Sequence, residues 1–313
     1  MKLTRVLGQP HAVEMLSRAV AGGKPDGGWL FHGPAGTGKR SAALGFARAL
    51  NCEAPAHAGD CCETCRPCVE IEKGIYADLR EVGPDAEAGG RDRSFKLETL
   101  HAAMVWGSRA TRGNRYRVCI LNDAHLMGKE PANAFLKMLE EPPERTVWLL
   151  LAPTPVSVLP TIRSRCRPVR FTLLSREAIE GILRLQGHPE AEEAADLCLG
   201  RLDAPLEEIQ ESVKLAEEYL EVAAKLDLAG LASRAQALGR KDGLETLSHL
   251  LDGLERALAA RLRLQPEEAD RWIAALDAVA RARGRYRGAL TKTLADGLGA
   301  DLSAALRGEA VRA

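Results

Sequence analysis

A parallel α/β sheet covered on both faces, followed by an all-helical half, is the fold this sequence predicts. Three observations predict it. The stretch Gly33-Pro-Ala-Gly-Thr-Gly-Lys39-Arg40 follows the apolar run Trp29-Leu30-Phe31 and opens a helical pattern over residues 41–50. That is the strand, glycine-rich turn and helix start of a phosphate-binding loop. Two further apolar runs, residues 117–122 and 147–152, lack polar alternation, as strands buried on both faces do. Beyond Ser175 the strand signals stop and helical spacing continues to the end of the chain.

The elements follow in order. Residues 13–20 place apolar side chains at helical spacing, and a glycine-rich turn at 22–28 leads into the first strand. After the loop and its helix, five cysteines fall within residues 52–68, in a loop or short helical hairpin. Residues 78–82 read as a short strand, 85–92 as a solvated loop and 97–109 as a helix. The strand at 117–122 precedes an amphipathic helix at 130–141, which Pro142 and Pro143 stop because proline cannot continue a helix. Residues 147–152 and 169–171 are the last strands. Helices are expected at 176–186, at 190–199 and from 205 onward, with breaks near Gly239, Gly253 and Pro266. Three parts emerge: an α/β domain over 1–171, a small helical domain over 172–205 and a helical bundle over 206–313.

Composition narrows the function. The 313 residues carry 43 basic and 43 acidic side chains, and a zero net charge argues against coating nucleic acid by bulk electrostatics. No apolar run approaches the ~18 residues of a membrane span. The N-terminal stretch lacks the apolar core of a signal peptide. Clustered cysteines read as metal ligands in a reducing cytoplasm.

The loop supplies Gly33, Gly36, Gly38 and Lys39 for phosphate, but the next residue is wrong for chemistry. A hydroxyl there holds Mg²⁺ in hydrolysing enzymes, and this chain has Arg40; Ser41 comes one residue late. The acidic motif expected after the strand residues 118–121 reads Asn122-Asp123, an amide at the metal position and the shorter carboxylate at the water-positioning one. Two defects in one phosphoryl-transfer site predict no independent catalysis, while nucleotide binding is left open. Cys62, Cys65 and Cys68, each two residues apart, with Cys52 closing a tetrahedron, suit a structural Zn²⁺; Cys61 is the alternative to Cys62. Cys119, Cys166 and Cys198 lie in apolar contexts and read as core. Arg165 has three readings: a solvated charge, a trans-acting group at a subunit boundary, or, with Arg163, Arg167 and Arg170, a contact to nucleic-acid phosphates.

Together the residues resemble a family. Leu7-Gly8-Gln9, Phe31-His-Gly-Pro-Ala-Gly-Thr-Gly-Lys39, the cysteine insertion, residues 133–143 (Asn-Ala-Phe-Leu-Lys-Met-Leu-Glu-Glu-Pro-Pro) and residues 159–166 (Leu-Pro-Thr-Ile-Arg-Ser-Arg-Cys) are similar to those of AAA+ clamp-loader proteins of bacterial DNA polymerase III. The resemblance covers about the first 170 residues. It implies a RecA-like domain, a helical lid and a collar through which five subunits form an open ring. That ring holds gamma/tau motor and delta subunits and loads a sliding clamp onto primed DNA. It also implies a structural role for the zinc module and makes Arg165 an arginine finger for the adjacent motor's ATP. Within the family the chain matches the stationary, non-hydrolysing subunit type. A motor subunit should carry Ser or Thr at 40, Asp-Glu at 122 and 123, and an arginine where Gly200-Arg-Leu-Asp203 offers Asp203, with Arg201 nearby. The competing readings are an active motor in which Ser41 or Thr37 helps hold Mg²⁺, and a nucleotide-binding regulator unrelated to replication.

Overall fold

The computed structural model describes residues 2–55, 57–86, 93–109, 115–225, 243–285 and 291–308. The chain divides into two compact units, Met1–Ile182 with Gly200–Asp203, and Leu183–Leu199 with Ala204–Ala313.

The first unit is built on five strands: β1 (Gly27–His32), β2 (Leu79–Val82), β3 (Arg117–Leu121), β4 (Thr146–Ala152) and β5 (Cys166–Arg170). They pair in the order β2-β3-β4-β1-β5, every pairing parallel. Successive residues of β4 go to opposite faces, as the two-residue period of a strand requires. Val147, Leu149 and Leu151 pack with Ala12 and Leu16 of α1 (Pro10–Ala21) and Phe46 of α2 (Lys39–Asn51). Trp148 and Leu150 pack on the other face with a second pair of helices. Leu100 comes from one, spanning Leu97–Gly107, and Phe135 and Leu139 from the other, spanning Lys129–Glu140. The uninterrupted apolar runs therefore belong to a sheet covered on both sides, as expected. A short helix, α3 (Arg66–Glu72), ends the cysteine segment; the helices over Leu97–Gly107 and Lys129–Glu140 are α4 and α5.

Several boundaries differ from the sequence reading. Gly27 and Gly28 belong to β1 and not to the preceding turn. Asp85–Ala86 pairs antiparallel with Arg93–Ser94 where a loop was expected; residues 87–92 of that expectation lie outside the described residues. β5 begins three residues early. Its Pro168 hides it from a strand pattern, yet β5 is an edge strand, where a missing N–H costs no ladder bond.

The second unit is all helix among the described residues. It contains α8 (Ala191–Leu197), α9 (Leu206–Ala224), α10 (Gly243–Leu264), α11 (Ala269–Arg285) and α12 (Thr291–Leu306). Before them α7 (Arg176–Gln186) runs from the first unit, following α6 (Pro160–Arg163). Ala216, Tyr219, Leu254, Leu258, Trp272 and Leu302 share the core. The break expected near Gly253 is absent, because α10 runs through it. A Cβ there would lie 1.9 Å from the Ser212 carbonyl oxygen, so this glycine serves close packing of α10 on α9. Pro266 does end a helix. The break near Gly239 and residues 226–228 lie outside the described residues.

Candidate functional site

β1 delivers the chain into the glycine loop at the carboxyl ends of the strands, where open parallel sheets place their ligand crevices. Gly33, Gly36 and Gly38 have φ of 151°, 67° and 89°. A Cβ at Gly33 would meet the Phe171 carbonyl oxygen at 2.2 Å, and one at Gly36 the Asp203 nitrogen at 2.4 Å. Only glycine meets both demands. Gly38 caps α2 with no side chain to compete for the first-turn N–H groups, which at a helix start are suited to phosphate. Lys39 Nζ donates to the Gly33 and Pro34 carbonyls, both at 2.6 Å. Burial lowers its pKa, against the opposing pull of Asp123. Burial, then Arg170 and Lys39, lower the pKa of His32 below 6.5, so the end of β1 is electropositive.

Arg40 and Asn122 are joined through one carboxylate. Arg40 grips Glu81 along one edge of its guanidinium, Nε to Oε1 at 2.5 Å and Nη2 to Oε2 at 2.7 Å. The Asn122 amide donates to the same Oε1 at 2.8 Å. Hydrogen bonding from Arg40 holds the Glu81 carboxyl below its ordinary range despite burial, with Asn122 adding to the effect. Asp123 sits in left-handed backbone at φ 50° and faces Lys39 electrostatically. Thr37 is buried and its hydroxyl donates to the Pro34 carbonyl at 2.8 Å. Glu81 was not singled out in the sequence, because a lone carboxylate in a short strand carries no pattern.

Two contacts fix the loop from outside. The Gly36 carbonyl accepts from Leu202 N–H at 2.9 Å, and Arg201 lies 3.5 Å from Asp203. The buried Gln9 amide donates to the Thr37 and Thr172 carbonyls at 3.1 and 2.7 Å and accepts from Thr172 N–H at 3.1 Å. Leu7-Gly8-Gln9 therefore ties the loop to the end of β5.

The sulfurs of Cys52, Cys62, Cys65 and Cys68 lie within 4.8 Å of one another. Four Zn–S bonds of about 2.3 Å in a tetrahedron place sulfurs about 3.8 Å apart, so the set is compatible with zinc. N–H groups of Cys62, Thr64 and Cys65 donate to the Cys52 and Cys62 sulfurs. Hydrogen bonds from Thr64 and Cys65 bring the Cys62 thiol down to about 5. Cys61 stands outside the quartet, and its N–H donates to Asp60 at 2.8 Å. Asp60 also accepts from Leu3 N–H and the Thr4 hydroxyl, at 2.9 and 2.6 Å, fastening the start of the chain to this segment. Cys119, Cys166 and Cys198 are buried as expected, and burial pushes the first two thiols up to about 12.

Arg165 is elsewhere. It precedes β5, whose Cys166 pairs with Gly28 at the start of β1. The glycine loop lies at the opposite end of β1, roughly 20 Å away at ~3.3 Å per residue. Arg165 Nε donates to Glu140 at 2.7 Å. The other basic residues do not form one patch. Arg163 donates to the Pro155 carbonyl, Arg167 stacks over Trp29 and donates to the Lys24 carbonyl, and Arg170 pairs in register with His32 at the far end.

The chain is similar to known proteins. The sequence pattern of the family described as "DNA polymerase III, delta subunit" matches residues 8–175. DNA polymerase III subunit tau of Bacillus subtilis is 31% identical over 268 residues, covering 79% of this chain and 45% of that protein. The tau subunit of Escherichia coli is 34% identical over 176 residues, covering 56% and 26%. The chain thus spans less than half the length of these two relatives. A gamma subunit-related protein of Thermotoga maritima superposes with a TM-score of 0.48 at 18% identity, covering 93% of this chain and 99% of that one. With more than half of its length matched by the family pattern, including the phosphate loop, the cysteine quartet and Arg165, the chain belongs to the DNA polymerase III, delta subunit family.

Proposed function

We propose that this chain is a delta-prime-type subunit of a bacterial clamp loader, a non-hydrolysing scaffold that completes a neighbour's ATP site. The carrying observation is the Arg40–Glu81–Asn122 network. It commits both positions that would hold Mg²⁺ to a protein carboxylate, and phosphoryl transfer without that metal loses its main charge stabilisation. The hydroxyl of Thr37, the alternative ligand, donates into the loop at the Pro34 carbonyl. Arg165 stands at the other end of the sheet, too far to serve its own loop, which supports its action on an adjacent subunit. In this reading Cys52, Cys62, Cys65 and Cys68 hold a structural zinc. Residues 172–205 form the lid and 206–313 the collar. The partners are gamma/tau and delta subunits in a cytoplasmic five-membered ring that acts on the sliding clamp and primed DNA.

The motor reading is favoured by one observation, the similarity to gamma and tau subunits. ATP turnover by the isolated chain, with and without primed DNA, separates the two. No turnover is expected; turnover abolished by Lys39→Ala would establish the motor reading instead.

A further inference from the structure

We propose that Glu140 is the positioning residue for Arg165; this rests on the reading of Arg165 as a group that acts on a neighbouring subunit's nucleotide. The Glu140 carboxylate accepts from Nε at 2.7 Å and lies 2.6 Å from Nη2. On the other edge, Nη1 donates to the Thr161 carbonyl at 3.0 Å and to the Ser164 hydroxyl at 3.3 Å. A surface arginine ordinarily samples many rotamers. Here contacts on both edges select one before any partner arrives, and 36% of the side chain still reaches solvent.

The placement of Glu140 runs against helix electrostatics. It is the last residue of α5, where unpaired carbonyls make a carboxylate unfavourable. The ion pair with Arg165 offsets that cost. Packing explains how the two meet. A Cβ on Gly28 would lie 2.6 Å from Leu139 Cδ2 and 2.9 Å from Cys166 Sγ. The bare backbone of β1 therefore lets the end of α5 and the start of β5 close over it. The residue after Leu139 then falls on the residue before Cys166. Glu140 touches no reacting atom; its effect is on orientation, and misplacing a group by about an ångström can cost ~10²-fold in rate.

The test uses the reconstituted complex with primed DNA and measures turnover against ATP concentration. The variants are Arg165→Ala, Glu140→Gln, Glu140→Asp and the Arg165→Ala/Glu140→Gln double. Glu140→Gln is expected to lower kcat about 10-fold with KM unchanged. Glu140→Asp should recover part of that loss, and the double variant should be no slower than Arg165→Ala alone. A rate unchanged or raised in Glu140→Gln, or a loss that multiplies with that of Arg165→Ala, overturns the positioning role and leaves the arginine's own role standing. An unaltered Arg165→Ala complex overturns both. A readout independent of assembly is the Arg165 Nε–H resonance of the isolated chain. It should be protected from exchange in the wild type and lose that protection in Glu140→Gln; equal protection in both overturns the proposal.

Discussion

Arg40 and Asn122 converge on one carboxylate, Glu81, so the two departures from a hydrolysing site form a single interaction. Because the Arg40 side chain is 61% exposed, the pair is screened, and a double-mutant cycle with Arg40→Ala and Glu81→Ala should give a coupling of at most about 1 kcal/mol by urea denaturation. His32 gives a pH signature. Burial, Arg170 and Lys39 all lower its folded pKa below 6.5, so below that value the unfolded chain binds more protons than the folded one. Stability should be intact above about pH 6.5 and decline on acidification, and His32→Gln should flatten that slope in thermal melts. An equal slope in both proteins would refute the assignment.

At the scale of elements, the glycine loop is braced by its neighbours. Gly36→Ala would push a Cβ into the backbone of Leu202 and Asp203 and place a side chain at φ 67°. A loss of about 1–3 kcal/mol is expected, with faster amide exchange over residues 200–203. The cysteine segment has little regular structure besides α3, and its four sulfurs converge without a packed core of their own. Metal analysis should therefore return about one zinc per chain, from one four-thiolate site. A chelator should raise exchange over residues 52–72 first, because binding energy at such a site is folding energy. A metal-free protein with full protection there would exclude the zinc.

For the whole molecule, the two units have separate cores, and each should answer to its own substitutions. Trp272 is 5% exposed within the helical core. Trp272→Ala should destabilise that unit by about 3–5 kcal/mol, lowering its calorimetric transition while leaving zinc stoichiometry unchanged. Much of the first unit was legible in the sequence. The uninterrupted apolar runs of β3 and β4 can be buried only on two sides, and a phosphate loop has one strand-turn-helix context. The edge strand β5 was less legible, since Pro168 and its arginines mask the pattern. Gly253 misled because glycine signals a helix break and a close helix contact equally well.

What the sequence determined by itself was the inventory: the loop with Lys39, the hydroxyl missing at Arg40, the amide at Asn122, four cysteines of metal-binding spacing, and Arg165. These are local properties, carried by residue type and short spacing. Only the tertiary structure decided their relations. It put Cys62 and not Cys61 among the four sulfurs, tied Arg40 to Asn122 through Glu81, and used Gln9 to fasten the loop. It placed Arg165 at the far end of the sheet in the grip of Glu140, 25 residues earlier in the chain. Parallel pairing is the physical reason. Every strand points its carboxyl end the same way, so residues that precede a strand and residues that follow one lie a full strand apart, whatever their separation in sequence.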